Sequence, residues 1–226
     1  MNRRQFLVAA AAGTAGLSAA ETKILLPSDQ PDEHGFRLMW YNPVPPIDQK
    51  TWRLKIGGLV ERPRALSPAE LRKFPHEEQN SRMKCVQCWS ARTTWGGFRV
   101  HHLFDLVKPK FSAKAIRIDC ADKWYEYFSL QDMLAPHVLM VLEMAGKPLS
   151  DKHGAPLRLI DPSRYGYKSA KLITAMTFVA EGKGSMACDI GPYYSPGGEI
   201  QPGYDHPLDL GATVRKKIKG GEITEY

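Results

Sequence analysis

Four cysteines in 226 residues are too few to build the disulfide framework of a small secreted scaffold. Charge of one sign is not dominant either, since 31 Lys and Arg are interleaved with 24 Asp and Glu, and the formal charge of +7 reads as a solvated basic surface. Only Arg215-Lys216-Lys217 with Lys219 forms a basic run, and it has no aromatic stacking partners, so nucleic acid is not expected as a partner. No apolar run reaches the ~20 residues needed to cross a bilayer. Internal repeats and low-complexity tracts are absent. The 17 Pro and 19 Gly are scattered without a period, which excludes collagen-like and disordered classes. A haem-attachment Cys-x-x-Cys-His is missing, because Trp89 follows Cys88. What remains is an ordinary globular composition in a chain long enough to bury a core.

The N-terminus has its own logic. Arg3-Arg4-Gln5-Phe6-Leu7 precedes an Ala- and Gly-rich apolar stretch without charge until Glu21, the pattern of a twin-arginine signal over residues 1–20. Ser18-Ala19-Ala20 supplies small residues for cleavage, after which the formal charge would fall to about +5. Export in the folded state fits a cofactor inserted beforehand, with the periplasm as destination. Residues 21–50 are polar and Pro-rich, with Pro43, Pro45 and Pro46 blocking ladders, and are expected to run as an extended arm over the domain surface.

Residues 51–180 carry the regular patterns. Trp52, Leu54 and Ile56 alternate with Arg53 and Lys55, a half-buried strand ended by Gly57-Gly58. Ser67-Pro68-Ala69-Glu70 combines an N-cap, a first-turn Pro and a capping Glu, predicting a helix over 68–74. Further strands are expected at 115–120, 125–129, 138–144, 156–160 and 172–179, and short helices at 100–107 and 130–134. Strands do not alternate with long helices, so the fold class is a β-rich α+β single domain, with residues 181–226 as a tail packed on it.

Cys85-Val86-Gln87-Cys88 is the first chemical feature, and its spacing alone suits a redox disulfide, half of a zinc site, or an unreactive pair. Arg82 and Lys84 precede Cys85 and would favour its thiolate, a soft metal ligand.

The segment Arg82-Met83-Lys84-Cys85-Val86-Gln87-Cys88-Trp89-Ser90, followed by Trp95 and Gly97-Phe98, resembles that of the sulfite-oxidase-fold molybdopterin oxidoreductases, nearest to their methionine-sulfoxide-reducing branch. The resemblance covers roughly residues 40–180. It implies that Cys85 binds molybdenum and that Asn42, in Tyr41-Asn42-Pro43, reaches the cofactor from the arm. His153-Gly154-Ala155-Pro156-Leu157-Arg158 is similar to the segment gripping pterin and phosphate through its first and last residues, and Lys168-Ser169-Ala170-Lys171 to the phosphate loop. Cys120 falls where the family has a pterin-contacting residue. Asp205-His206-Pro207 and Gly220-Gly221 resemble a reductase tail motif.

The implied cofactor is one molybdenum-molybdopterin per chain, and the implied reaction is oxygen-atom transfer, reducing S-oxides of the methionine sulfoxide kind or N-oxides. Electrons would come from a membrane haem partner, with the protein itself a monomer. Gln87 stands where the sulfoxide reductases have an acid, and is assigned to the catalytic face. The alternative within the fold is a sulfite dehydrogenase, against which Trp89-Ser90 replaces the expected Arg pair. A third reading is an exported thiol–disulfide or binding protein without molybdenum.

Overall fold

The computed structural model describes residues 30–86, 89–191 and 194–200, with two short strands beyond them. Residues 1–20, Gln87, Cys88, His206-Pro207 and Gly220-Gly221 lie outside the described residues. In chain order the strands are β1 (Leu54–Gly58), β2 (Arg64–Leu66), β3 (Glu77–Lys84), β4 (Ser90–Arg99), β5 (Ala115–Cys120), β6 (Tyr125–Ser129), β7 (Leu139–Met144), β8 (Lys147–Pro148), β9 (Arg158–Ile160), β10 (Ile173–Val179), β11 (Tyr204–Asp205) and β12 (Lys216–Lys217). The helices are short: α1 (Pro68–Leu71), α2 (His101–Val107), α3 (Leu130–Met133) and α4 (Met186–Ile190).

Period-two alternation builds the first sheet, ordered β2-β1-β10-β5-β6, in which only β1 and β10 run parallel. Leu54 and Ile56 of β1 turn inward while Lys55 faces water. The second sheet is antiparallel, ordered β3-β4-β7-β8, with β9 also paired to β7. Its strand β7 is buried on both faces. Met140 and Leu142 pack with Leu54, Ile116, Met176 and Phe178 of the first sheet, whereas Leu139 and Val141 pack with Phe36, Trp95 and Ile160 on the far side. The two sheets thus share one core and carry a second under the arm.

Several expectations needed correction. The two longest strands, β3 and β4, were not anticipated, because Glu77–Lys84 is almost entirely polar and its alternation is ion pairs and hydrogen bonds rather than apolar side chains. Helix α1 keeps the full capping box between Ser67 and Glu70 but stops at Leu71, three residues short of Phe74. The arm forms no ladder of its own across residues 30–50, yet it does not merely cross the surface: Phe36, Trp40 and Val44 are buried.

Candidate cofactor site

β3 delivers Cys85 to the end of a hairpin, where its N–H donates to the Trp89 carbonyl at 2.9 Å before β4 returns. The half-buried thiol faces a cleft that is partly open to solvent. Its walls come from the arm, the 3-10 turns at Asp151–His153 and Gly166–Lys168, the start of β9 and the segment before β10. Cys85, His153, Arg158, Ser169, Ala170 and Lys171 all line it.

Arg158 opens β9 and is buried. Its Nη1 donates to the His153 carbonyl at 3.0 Å, its Nη2 contacts Met83 Sδ at 3.4 Å, and the guanidinium lies 4.9 Å from the Trp95 ring centre. Nε has no hydrogen-bond partner among the described residues, and no carboxylate pairs with the group there. Burial alone pulls its pKa down to about 9, leaving it charged at neutral pH. Lys171 Nζ donates to the Met39 carbonyl at 2.6 Å and sits 3.5 Å from the Trp40 ring centre. Burial, followed by repulsion from Arg158, lowers the Lys171 ammonium to about 7, against attraction from Asp122, Cys120 and Cys85.

His153 Nε2 lies 2.9 Å from Asp32 Oδ2, while Oδ1 of Asp32 accepts from the N–H groups of His34 and Phe36, so one carboxylate folds the arm and orients the ring. Burial and Arg158 outweigh that carboxylate and push the His153 pKa down to about 4, which keeps the imidazole neutral. Across the cleft the buried Asp122 carboxyl is raised by burial, against the Trp124 N–H and Lys171.

Other expected positions lie elsewhere or act differently. The chain bends at Tyr41-Asn42, and Asn42 Nδ2 points to Met186 Sδ at 3.9 Å, while its neighbours Met39, Trp40 and Tyr41 line the cleft. Cys120 ends β5 inside the protein rather than on the cleft wall, its thiol driven well above the usual range by burial. The Ser169 and Ala170 N–H groups donate to the Gly166 and Lys168 carbonyls, at 3.1 and 2.9 Å, so they close the turn rather than face the cleft as free donors. Lys168 is turned away entirely, its Nζ 2.6 Å from Glu126 Oε2. Arg82 stands opposite Arg92 in the β3–β4 ladder and Lys84 is buried, while Lys171 is a cation that interacts with Cys85 across the cleft. Gln87 falls outside the described residues. Sequence reasoning missed Trp40 and Trp124, which join Tyr167 and Tyr194 in an aromatic wall and come from irregular segments without periodicity.

The donor set has a clear demand. Two buried cations converge on a cleft with one buried acid, Asp122, and Arg158 keeps an unmet donor, so an anionic group is required to satisfy them. A thiol opposite suits a soft metal. A phosphate-bearing metal cofactor fits both.

Residues 41–186 match the family described as oxidoreductase molybdopterin binding domain. The protein-methionine-sulfoxide reductase catalytic subunit MsrP of Campylobacter jejuni is 30% identical over 179 residues, which is 71% of this chain and 60% of that protein. This chain therefore spans about 60% of that relative's length. Among solved structures, the sulfane dehydrogenase SoxCD of Paracoccus pantotrophus matches with a TM-score of 0.58 at 17% identity, over 76% of this chain and 57% of that chain. That last likeness is one of fold.

Proposed function

The chain belongs to the family of oxidoreductase molybdopterin-binding domains, and from that premise we propose that it is an exported, periplasmic molybdenum enzyme reducing S-oxides of the methionine sulfoxide kind, or N-oxides, by oxygen-atom transfer. The observation that carries this reading is the buried Arg158 guanidinium, unmatched by any carboxylate among the described residues and opening on the cleft that holds Cys85. The MsrP relative supports the choice of S-oxide.

When bound, the cofactor supplies two-electron oxygen-atom exchange at molybdenum. Cys85 would ligate the metal through its thiolate. Arg158 and Lys171 would hold the anionic end, and His153, oriented by Asp32, offers its second ring nitrogen to a polar edge of the pterin. Trp40, Trp89, Trp124 and Tyr194 exclude water and give a thioether or sulfoxide the aromatic surface that sulfur favours. Reduction of an S-oxide consumes two electrons and two protons and releases water. Lys171 Nζ, lowered to about 7, is a group of the cleft able to hold or release a proton near neutral pH, and burial raises the neighbouring Asp122 carboxyl from its ordinary range. Gln87, two residues beyond the ligand, would bind the substrate oxygen through its amide. Electrons would enter from a membrane haem partner, with the protein a monomer.

The test is metal analysis of the purified protein together with turnover of a panel of S-oxides, N-oxides and sulfite. About one molybdenum per chain and S-oxide or N-oxide reduction are expected. Cys85→Ser should abolish turnover, because a hydroxyl replaces a thiolate poorly. Preference for sulfite would move the protein to the sulfite dehydrogenases, and full activity of Cys85→Ser would overturn the assignment.

A further inference from the structure

The turn between α2 and β5 takes no part in the cleft. The Lys110 carbonyl accepts from the Ala113 N–H at 2.9 Å, which makes Lys110-Phe111-Ser112-Ala113 a closed turn with Phe111 near its tip. Phe111 is 94% exposed, far more than Tyr41 at 52% or Leu134 at 47%. The turn is anchored on both sides. Lys110 N–H donates to the Leu59 carbonyl at 3.0 Å, Lys114 N–H donates to Val179 at 2.8 Å, and Val60 bridges Pro109. Lys114 Nζ also donates to the Phe111 carbonyl at 3.0 Å and sits 4.4 Å from its ring centre. A phenylalanine is thus held out in water by fixed backbone, against its own tendency to be buried.

The surroundings are basic. Arg62 lies on the adjoining β1–β2 connection, whose Glu61 and Arg62 N–H groups donate to the Lys108 and Val107 carbonyls, and Arg64 opens β2. With Lys108, Lys110, Lys114 and Lys183 they make six cations, against the acids Glu61, Asp105 and Glu181. Asp105 pairs with Lys108 and Glu181 with Lys183, while Lys110 and Lys114 flank Phe111 in the turn itself. This is the far end of the first sheet. β5 runs from beside the turn at Ala115 to Cys120, two residues before the cleft residue Asp122, about 17 Å away at the usual rise of a strand.

We propose that this turn docks the protein on an anionic phospholipid surface, with Phe111 entering the boundary between headgroups and acyl chains and the flanking lysines and arginines meeting the headgroups. A fluid surface is the occupant that the shape selects. Protein hot spots are broad patches of several aromatic or Arg side chains closing a pocket, whereas here one apolar tip protrudes from a convex basic end. Among the described residues no helix is long and apolar enough to cross a membrane, so the contact is peripheral. One apolar side chain and an excess of about three charges give weak, salt-sensitive binding, on the order of 10³ M⁻¹ at low ionic strength.

The test is flotation of the full-length holoprotein with phosphatidylglycerol-containing vesicles and with pure phosphatidylcholine vesicles, at low and high salt. Association is expected with the anionic vesicles at low salt only. Phe111→Ser should weaken it about tenfold, and the triple change Lys108→Glu, Lys110→Glu, Lys114→Glu, which turns the positive excess into a negative one, should abolish it, while oxotransferase activity stays unchanged. All forms carry the same N-terminal segment, so the ratio of variant to parent reports the turn alone. Phe111→Trp should gain fluorescence that brominated lipids quench. Undiminished flotation of both variants, or an unquenched Trp at 111, would overturn the proposal. So would binding to protein-containing membranes but not to lipid vesicles, which would point to an acidic protein partner instead.

Discussion

Arg158 and Lys171 place two like charges on one cleft, an arrangement that costs the empty protein stability and favours an anion in return. Arg158→Ala and Lys171→Ala should each lower molybdenum occupancy, since each removes a charge-assisted contact worth roughly 1.5–3 kcal/mol; unchanged metal content in both would remove them from the site. The pH dependence is equally specific. With the folded-state pKa of Lys171 lowered to about 7, the unfolded chain binds more protons between about pH 7 and the normal lysine range, and the cofactor-free protein grows more stable as pH rises through that window. Melting temperatures of cofactor-free protein should therefore climb from pH 7 to pH 9, and Lys171→Met should flatten the rise. At this scale, the gathering of Cys85, His153, Arg158 and Lys171 on one cleft was legible from residue type. Asn42 and Cys120 were not, because a bend and the packing at the end of β5 decide where they point, and neither is written in residue type.

At the scale of elements, apolar alternation predicted β5 and β6 to the residue and β7 and β10 within one. It failed on β3, whose inward pattern is polar and whose partner β4 supplies the order. Arg99 of β4 bonds Glu77 and Gln79 of β3, a pairing visible only once the strands are side by side. The hairpin matters because it carries Cys85, and its weak point is the bulge where β4 meets β7, between Gly96 and Gly97. A Cβ on Gly97 would stand 1.9 Å from the Met140 carbonyl oxygen, whereas one on Gly57 meets nothing within 4 Å. Gly97→Ala should cost at least about 3 kcal/mol in denaturant unfolding and lower molybdenum loading, since it pries β4 from β7. Gly57→Ala should stay within about 0.5 kcal/mol of the parent. Equal stability of the two variants would mean that the bulge relaxes freely.

For the whole molecule, the question is what holds the cleft walls in register, since the arm, the turns and the C-terminal segment are mostly irregular. The answer lies in one buried ion pair. Glu126 of β6 and Lys168 of the second 3-10 turn are both buried and 2.6 Å apart. Glu126 also accepts from Trp124 Nε1 and from Ser185 Oγ at the start of α4, and Lys168 donates to the carbonyls of Tyr127 and Pro196. This network joins the first sheet, the turn bearing Ser169, α4 and the segment carrying Tyr194. Burial raises the Glu126 pKa despite its partner, so the pair contributes less to stability than its short distance suggests. Removing one side is a different matter. Lys168→Met leaves a buried carboxylate beside an apolar side chain and should cost about 3–5 kcal/mol, whereas adding Glu126→Gln to it should recover a substantial part, because no charge is then left unmatched. Thermal unfolding of the two singles and the double checks the energetics. Metal content checks the architecture: if the network sets the cleft, the stabilised double variant should still load molybdenum less well than the parent. A double variant that is stable and fully loaded would reduce the pair to a stability device with no part in shaping the site.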